Sequence, residues 1–419
     1  MNTLYNISIW IFSVAVHIAS LFNPKAKQWI KGRKSIFQKL AEATKEEQDI
    51  VWFHCASLGE FEQGKPIIEG YKIKHPTHKI LLTFFSPSGY EIRKNYDGVD
   101  WVFYIPADTK KNARQFISIV NPIKVIFIKY EFWFNYMTEL NKKSIPFYSV
   151  SSIFRKEQSF FKYDWFAKQF NNVSHFFVQD QNSKKLLKNI GFSNCTVAGD
   201  TRFDSVITNT QNAISIPLIE EFSKNITTIV CGSTWPKDEA LLAKYIKENP
   251  NYKYIIAPHE MQHISELKNQ TNALLFSKAN NINIKNSNVL IIDSIGILSN
   301  VYKYGNLAYI GGGFGSGIHN ILEAVTFGLP VVFGPNYQKF KEANELIELE
   351  GAKNISNYSE LETTILSFSD FDNSISKNYI KVNRLFFAKR INPFKTIHTD
   401  HIFLNQILFF KITVIVNII

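Results

Sequence analysis

The chain has 419 residues, of which 45% are hydrophobic and 20% are charged. This composition is typical of a globular protein of two or three domains and excludes disorder and fibrous repeats. The net charge of +11 indicates an anionic partner, and leaves nucleic acid, membrane phospholipid and phosphorylated substrates open. The three cysteines, Cys55, Cys195 and Cys231, have no CxxC spacing, which argues against a disulfide framework or structural zinc site and indicates a reducing compartment.

An apolar segment opens the chain. Residues 4–22 contain no Asp, Glu, Lys or Arg and are long enough for about one bilayer crossing. Basic residues follow this segment and none precedes it, which places the following chain on the cytoplasmic side. The charged start and the cleavage site of a signal peptide are missing. We therefore predict an uncleaved membrane-anchor helix within residues 1–24, with a helix lying in the membrane interface as the alternative.

Beyond residue 48, short apolar runs alternate with amphipathic stretches, which is typical of βαβ units and a parallel sheet. A first series of strands is predicted at 50–54, 79–83, 101–104, 125–128, 147–150, 175–178 and 195–197. A second series is predicted at 228–231, 254–257, 289–292, 307–310 and 330–333. The pattern lapses between residues 200 and 216. We therefore predict two wound α/β domains, residues 35–207 and 217–383, with ligands bound outside the carboxyl ends of the strands, in a cleft between the domains.

The loop after the first strand carries the sequence CASLGE, which ends at Glu60, and a helix is predicted to begin near Gln63 or Pro66. A carboxylate in this position suits a general base that removes a proton from a hydroxyl nucleophile. A helix-capping glutamate without chemistry is the alternative.

Two further loops of the first half follow strands. The sequence TFFSPSG, which contains Ser86, can cradle part of a polar substrate or merely turn the chain. Glu131 follows the strand at 125–128 beside aromatic residues that can stack on a sugar face. Packing alone explains those aromatic residues equally well.

In the second half, Ser233 and Thr234 end a strand and are predicted to cap the next helix or to donate hydrogen bonds to a phosphate. His259 ends the strand at 254–257, where it can meet a ligand or lie on polar surface.

A glycine cluster follows the strand at 307–310. It comprises Gly311, Gly312, Gly313, Gly315 and Gly317, five glycines within seven residues. Such a loop lets backbone N–H groups approach an anion at a helix N-terminus, and we predict that it binds phosphate. The glycine spacing fits neither GxGxxG nor a P-loop. This argues against the interpretation of the protein as a dinucleotide oxidoreductase or as a P-loop NTPase. Glu323, predicted about two turns into the following helix, can accept hydrogen bonds from ribose hydroxyls.

Taken in order, these motifs resemble one known family. The motifs are HCASLGEFEQGKP, LLTFFSPSG, KYEFWFN, SVSSIFRKEQSFFKY, VAGDTRFD, CGSTWPKDE, APHE and GGGFGSGIHNILEAVTFGLPVVFGP. Together they resemble the 3-deoxy-D-manno-octulosonic acid (Kdo) transferases, which are membrane-anchored GT-B glycosyltransferases of lipopolysaccharide synthesis. The match runs from about residue 5 to residue 382.

The resemblance implies a GT-B fold, two Rossmann-like parallel-sheet domains facing a cleft, at the cytoplasmic face of the inner membrane. It implies transfer of Kdo from CMP-Kdo to a phosphorylated lipid A precursor, with inversion and without a metal or other cofactor; nucleic acid is not an expected partner.

The resemblance also implies roles for individual residues. Glu60 matches the proposed catalytic base, and Glu131 matches a second conserved acid. The expected donor-binding residues are Ser233, Thr234, His259, Gly311, Gly312, Gly313, His319, Asn320 and Glu323. The expected acceptor-binding residues are Ser57, Gly59, Ser86, Arg155 and Lys156, the last two as phosphate contacts or merely solvated surface charges.

The chain departs from the family pattern at Lys129, at Phe134 and at Trp235-Pro236. Lys129 stands where many members have a glutamate and Phe134 where they have proline, so this loop is expected to differ in geometry. Trp235-Pro236 replaces a version of the donor-side turn that contains histidine.

Residues 384–419 form an atypical hydrophobic tail that does not resemble the C-terminal helix of the family. Its bias toward Ile, Phe, Lys and Asn suggests a shifted reading frame or a strain-specific extension. Polar residues interrupt the apolar run at 402–419, so we predict no second membrane span there.

Two other functions stay open at this point. A transferase of the same fold can use another nucleotide sugar, such as a UDP-hexose. A catalytically inactive, membrane-tethered homologue can bind a nucleotide sugar without turning it over.

Overall fold

The computed structural model describes residues 2–129, 131–368, 371–381, 415–416 and 418–419, with Thr208 described by its backbone alone. The chain divides into two compact units. The N-terminal unit comprises Met1–Ser205 with Leu385–Ile419, and the C-terminal unit comprises Val206–Arg384. The division falls inside the 200–216 segment, where the strand and helix pattern of the sequence lapses.

The N-terminal unit is built on seven parallel strands. They are β1 Ile50–Cys55, β2 Lys79–Phe84, β3 Trp101–Tyr104, β4 Lys124–Ile128, β5 Phe147–Ser152, β6 His175–Val178 and β7 Cys195–Val197. Its helices are α1 Asn2–Ala19, α2 Pro24–Arg33, α3 Ile36–Ala43, α4 Leu58–Lys74, α5 Pro87–Arg93, α6 Lys110–Val120, α7 Phe134–Lys142, α8 Asp164–Gln169 and α9 Gln181–Asn189, and α10 Arg202–Gln211 contains the boundary with the other unit. The strand order is β3-β2-β1-β4-β5-β6-β7.

The C-terminal unit repeats this plan. Its strands are β8 Thr228–Thr234, β9 Lys253–Pro258, β10 Leu274–Leu275, β11 Val289–Ile291, β12 Leu307–Ile310, β13 Val331–Phe333 and β14 Ala352–Asn354. Its helices are α11 Pro217–Ser223, α12 Pro236–Glu248, α13 Ile264–Thr271, α14 Leu298–Val301, α15 Leu322–Thr326, α16 Lys341–Glu348 and α17 Tyr358–Ser367, with a further helix at 374–381. The strand order is β10-β11-β9-β8-β12-β13-β14.

Both faces of each sheet are covered, which explains why the strands read as nearly continuous apolar runs. In β1, Ile50 and Trp52 belong to one buried cluster, whereas Val51, Phe53 and Cys55 belong to another. This alternation puts successive side chains on opposite faces of the sheet. The predicted fold class, α/β with two Rossmann-like parallel sheets, is thus confirmed, and a prediction of this kind succeeds because buried parallel strands have a strong sequence signal.

All twelve predicted strands are present, with ends that shift by a few residues. The two short strands β10 and β14 were not predicted. The prediction that a helix begins near Gln63 or Pro66 is wrong, because α4 begins at Leu58 and holds Pro66 inside it. Ser57 is extended at the N-cap position, and the carboxylate three residues later accepts a hydrogen bond from the preceding loop, so the helix starts earlier than the proline suggests.

The predicted tail lies largely outside the described residues, which resume at Ile415. Ile415, Val416 and Ile419 are buried in the same cluster as Phe61 of the N-terminal unit. The Nζ of Lys124 donates to the carbonyl oxygen of Ile419 at 2.5 Å. The described end of the tail therefore packs on the N-terminal unit.

Candidate functional site

The N-terminal sheet contains a topological switch point between β1 and β4. The chain runs from β1 to β2 and β3 on one side and then crosses to β4 and the later strands on the other. In sheets of this type, ligands bind in the crevice at the carboxyl edge, between the loops that leave such a point in different directions. Glu60 follows β1 and Glu131 follows β4, so the topology brings both predicted acids to this crevice.

Glu60 lies in the first turn of α4 and is only 7% exposed. Its Oε2 accepts a hydrogen bond from the Ala56 backbone N–H at 2.5 Å. Burial raises the pKa of Glu60 to about 6, while the charge of Lys129 and the backbone N–H groups of Ala56 and Ser57 oppose that rise. The capping interaction expected from the alternative interpretation is thus present, and it holds the carboxylate at the edge of the crevice.

The pKa of Glu131 is raised more strongly than that of Glu60. Burial, followed by the negative charge of Glu60, raises the pKa of Glu131 to about 8, and Lys129 opposes this rise. At neutral pH the two carboxyls therefore hold about one proton between them, because like charges in one buried site resist joint ionisation. The pKa of Glu60 is raised less than that of Glu131, which favours Glu60 as the member that accepts a proton.

Lys129 joins the two acids electrostatically, although the sequence suggested only that it alters the loop. Its backbone has a φ of +66°, outside the range that non-glycine residues normally adopt. Its N–H donates to Val150 at 2.7 Å, and its carbonyl oxygen accepts from the hydroxyls of Ser149 at 3.0 Å and Ser152 at 2.6 Å. The strand β5 therefore holds this strained residue beside the two acids.

A buried histidine supports the same loop. The Nε1 of Trp133, which can only donate, lies 3.3 Å from Nε2 of His54, so that nitrogen accepts and the imidazole is neutral. The Nδ1 of His54 then donates to Thr83, whose carbonyl and hydroxyl oxygens lie at 3.1 and 2.9 Å. Burial lowers the pKa of His54 to about 3, in agreement with a neutral ring. Sequence reasoning missed this residue because it lies inside a strand.

The expected acceptor-binding residues also lie at this sheet edge. Ser57 precedes α4, and a Cβ added at Gly59 would meet nothing within 4 Å, so Gly59 faces open space. Ser86 caps α5 by accepting from the Ser88 N–H at 3.2 Å. Arg155 and Lys156 are exposed in the loop after β5. Their roles stay predictions.

The C-terminal sheet has its own switch point, between β8 and β12. Ser233 and Thr234 lie at the end of β8, and the glycine cluster follows β12. A Cβ added at Gly311 would lie 2.2 Å from the Ser233 carbonyl oxygen, so only glycine allows these two segments to approach. Gly313 makes a similar close approach to the backbone of Gly334.

The prediction that Ser233 or Thr234 caps the next helix is wrong. The N-cap position is Trp235, and the Thr234 hydroxyl donates to Glu239 at 2.9 Å. Asp238 at the third helical position caps the helix instead, accepting from the Trp235 N–H at 2.9 Å. The helix begins only after Thr234, because β8 continues to that residue, with Ser233 at an irregularity in the pairing of β8 with β9.

Asp238 also restricts the glycine cluster. Its Oδ2 accepts from the Gly312 N–H at 2.9 Å and its Oδ1 accepts from the Tyr309 hydroxyl at 2.8 Å. The Gly311 N–H donates to Gly232 at 2.9 Å. The N–H groups of Gly311 and Gly312 are therefore engaged within the protein, and binding of a phosphate by this loop stays a prediction. Sequence reasoning missed Asp238, although an acidic residue in the first turn of a helix that begins with proline is a helix-start signal.

Three rings stack beside this loop. Trp235 stacks on His259 with centroids 4.6 Å apart, and His259 lies 4.4 Å from His319. The Trp235 Nε1 donates to Nε2 of His319 at 2.9 Å, which leaves the His319 proton on Nδ1. Burial, with a contribution from His259, lowers the pKa of His319 to about 4. The structure thus brings two predicted donor-site histidines together and keeps His319 neutral.

Asn320 and Glu323 also lie together. The Asn320 Nδ2 donates to Glu323 at 3.1 Å, and its Oδ1 accepts from the Leu322 N–H at 3.2 Å. Glu323 lies in the first turn of α15 and not about two turns into a helix, because the helix begins only at Leu322. Within the described parts of the chain, no group of three or more His, Cys, Asp or Glu side chains is arranged to hold a metal ion.

Comparisons with known proteins agree with the motifs. Residues 31–205 match the family model of 3-deoxy-D-manno-octulosonic-acid transferases. The chain is 28% identical to a 3-deoxy-D-manno-octulosonic acid transferase of Aquifex aeolicus over 341 residues, which covers 79% of this chain and 89% of the relative. It is 24% identical to a transferase of the same name from Chlamydia trachomatis over 387 residues, which covers 88% of each chain.

A solved structure supports the fold. The UDP-GlcNAc 2-epimerase of Neisseria meningitidis superposes with a TM-score of 0.57 at 12% identity, covering 82% of this chain and 99% of that one. The predicted resemblance to the Kdo transferases is therefore confirmed, as is the GT-B type of fold, and the chain is a glycosyltransferase.

Proposed function

We propose that this glycosyltransferase transfers Kdo from CMP-Kdo to the lipid A precursor (lipid IVA) in the synthesis of the lipopolysaccharide core. The observation that carries the proposal is the pair Glu60 and Glu131 at the switch point of the N-terminal sheet, in a chain similar to Kdo transferases over most of its length. A buried acid that is ionised near neutral pH suits deprotonation of a sugar hydroxyl.

The proposed reaction is a single displacement. Glu60 accepts the proton of the acceptor hydroxyl, the hydroxyl oxygen forms a bond to the anomeric carbon of Kdo, and the bond from that carbon to the phosphate oxygen breaks. CMP leaves with the bonding electron pair, and the anomeric configuration inverts. Glu131 stays protonated during this step because its pKa is raised to about 8. No metal takes part in the proposed reaction.

The C-terminal unit is proposed to hold CMP-Kdo. The support is the loop after β12 beside neutral His319, whose Nδ1 proton can be donated to an anionic or carbonyl oxygen. His259, Asn320 and Glu323 line the same loop region and are proposed to contact the nucleotide. Because the amides of Gly311 and Gly312 are engaged, these glycines are proposed to act by allowing close backbone approach and not by donating to the phosphate.

The acceptor is proposed to reach the N-terminal unit from a membrane. An apolar α1 followed by basic residues supports a location at the cytoplasmic face of the inner membrane. Ser57, Gly59 and Ser86 are proposed to contact the sugar, with Arg155 and Lys156 near the phosphates.

The test is transfer by the purified protein with CMP-Kdo and lipid IVA, with the lipid product analysed by mass spectrometry. We expect Glu60→Gln to lower the turnover rate by about 10²- to 10⁴-fold with unchanged CMP-Kdo binding. Glu69→Gln is the matched control, since Glu69 is an exposed acid on the same helix. An undiminished rate in Glu60→Gln would refute the proposed base, and the product mass would give the number of Kdo units added.

Two alternatives give different results in the same assay. A transferase for another nucleotide sugar would bind UDP in preference to CMP in a competition experiment. An inactive homologue would bind CMP-Kdo without forming product.

A further inference from the structure

The first helix lies along the N-terminal unit on one stripe of its surface. Within α1 the partly buried residues are Tyr5, Asn6, Ile9, Ser13 and Val16, and the other described residues of the helix are exposed. Spacings of three and four residues put these five on one face. The contact therefore extends over most of the helix.

Polar hydrogen bonds fix the start of this contact. The Tyr5 hydroxyl donates to Asp108 Oδ2 at 2.5 Å, Asn135 Nδ2 donates to Asn6 Oδ1 at 3.1 Å, and Trp165 Nε1 donates to Asn2 Oδ1 at 2.9 Å. Asp108 is 2% exposed and also accepts from the backbone N–H of Asn135. Breaking these bonds would remove the Tyr5 hydrogen bond from the buried Asp108 carboxylate and the Asn6 acceptor from the buried Asn135 amide, which is costly.

Aromatic contacts continue along the helix. The Tyr5 ring lies 4.8 Å from Phe134, and Phe12 lies 6.0 Å from Trp29 and 5.9 Å from Phe85. A helix of 18 residues is about 27 Å long, close to the thickness of the hydrocarbon layer. If α1 crossed a bilayer while keeping these contacts, the loops and helix ends that it touches would enter the hydrocarbon, where irregular backbone is excluded.

The opposite face of α1 is apolar and open. At 100° per residue, the large exposed side chains opposite the contact stripe are Leu4, Ile7, Ile11, Val14 and Ile18. Leu21 and Phe22 extend this surface beyond the helix. Four lysines follow directly, namely Lys25, Lys27, Lys31 and Lys34. An apolar helix face beside a row of lysines is complementary to the headgroup and acyl boundary of an anionic leaflet.

We infer that α1 lies in the plane of an anionic membrane leaflet, with this apolar face among the acyl chains, and does not cross the bilayer. Asn2 and the N-terminal unit then lie on the same side of the membrane. This inference rests on the membrane location in the proposed function, but it does not depend on Kdo transfer. It selects the interfacial helix over the spanning anchor that the sequence favoured.

The buried native cysteines allow a direct topology test. Thr3→Cys would report the start of α1, and Lys45→Cys would report the exposed surface of the N-terminal unit, both with a membrane-impermeant maleimide in intact cells and in inverted vesicles. We expect neither cysteine to react in intact cells and both to react in inverted vesicles. Reaction of Thr3→Cys in intact cells, with Lys45→Cys protected, would overturn the inference.

A second experiment tests the bound surface with purified protein. We expect the wild type to co-sediment with vesicles containing phosphatidylglycerol, and Ile11→Asp to lower the partition coefficient by roughly tenfold or more. Ile73→Asp is the matched control, because Ile73 is 69% exposed and belongs to α4 and not to α1. Equal partitioning of Ile11→Asp and wild type, or no binding by the wild type, would overturn the inference. Neither experiment requires donor or turnover, so a failure of the proposed reaction would leave their results interpretable.

Discussion

Replacing Lys129 with methionine should shift the acidic limb of the pH–rate profile to higher pH. The charge of Lys129 is the strongest influence that lowers the pKa of Glu60 against the effect of burial. With the cation present, the pKa is raised only to about 6. An opposite charge close to a buried carboxyl changes its pKa by about one to three units, so we take one unit as the conservative value.

A rise of about one unit in the pKa of Glu60 should change kcat/KM only below neutral pH. At pH 6 the ionised fraction of Glu60 would fall from about one half to about one tenth, so kcat/KM should fall roughly fivefold. At pH 9 the group is ionised in both proteins and this effect should vanish. The assay is kcat/KM for Kdo transfer measured between pH 5 and pH 9.

Two control variants separate the effect of the Lys129 charge from an effect of the substitution on the structure. Lys129→Arg keeps the positive charge and should leave the limb near its wild-type position, whereas Lys143→Met removes an exposed lysine near the end of α7 and should change nothing. The Lys129 backbone hydrogen bonds do not depend on its side chain, so folding should survive the change. If the limb of Lys129→Met overlies that of the wild type, the cation does not tune the base and the electrostatic argument fails.

Three further predictions concern the buried groups. Asp238→Ala should lower the free energy of unfolding by about 3 kcal/mol in urea denaturation, because three donors lose one acceptor group, and an unchanged midpoint would contradict this. Trp235→Phe removes the donor to Nε2 of His319, so the His319 pKa should rise from about 4 when its ring is titrated by NMR, and a stationary pKa would count against the hydrogen bond. Glu131→Gln should flatten the loss of thermal stability between pH 5 and pH 8. The folded wild type keeps a proton on Glu131 until about pH 8 whereas the unfolded chain releases it near pH 4.5, so stability falls across this window, and an equally steep fall in the variant would refute the assignment.

Sequence patterns predicted most of the fold, because parallel strands that are buried on both faces give nearly continuous apolar runs in the sequence. The strands at 101–104, 175–178, 195–197 and 307–310 keep their predicted limits in the structure. The two missed strands, β10 and β14, are two and three residues long and carry too little apolar sequence to stand out. The start of α4 was misplaced because proline normally marks a helix beginning, whereas here the Glu60 carboxylate sets the first turn.

For the candidate site, the motifs identified Glu60, Glu131 and the glycine cluster, and each lies at a switch point of its sheet. The sequence could not show that Asp238 engages the Gly312 amide, since 74 residues separate the two partners. The tautomer of His319 is likewise set by Trp235, which is 84 residues away.

The amino-acid sequence by itself determined the layered α/β architecture, the acids after the first and fourth strands, and the apolar, uncharged character of the first helix. Those features follow from local periodicity and residue type. Only the tertiary structure decided that the charge of Lys129 lowers the pKa of both acids and that two glycine amides already donate hydrogen bonds within the protein. It also decided that one face of the first helix is hydrogen-bonded to Asp108, Asn135 and Trp165. The reason is that charge, hydrogen bonding and burial depend on neighbours in space, and the chain folding brings those neighbours from distant positions.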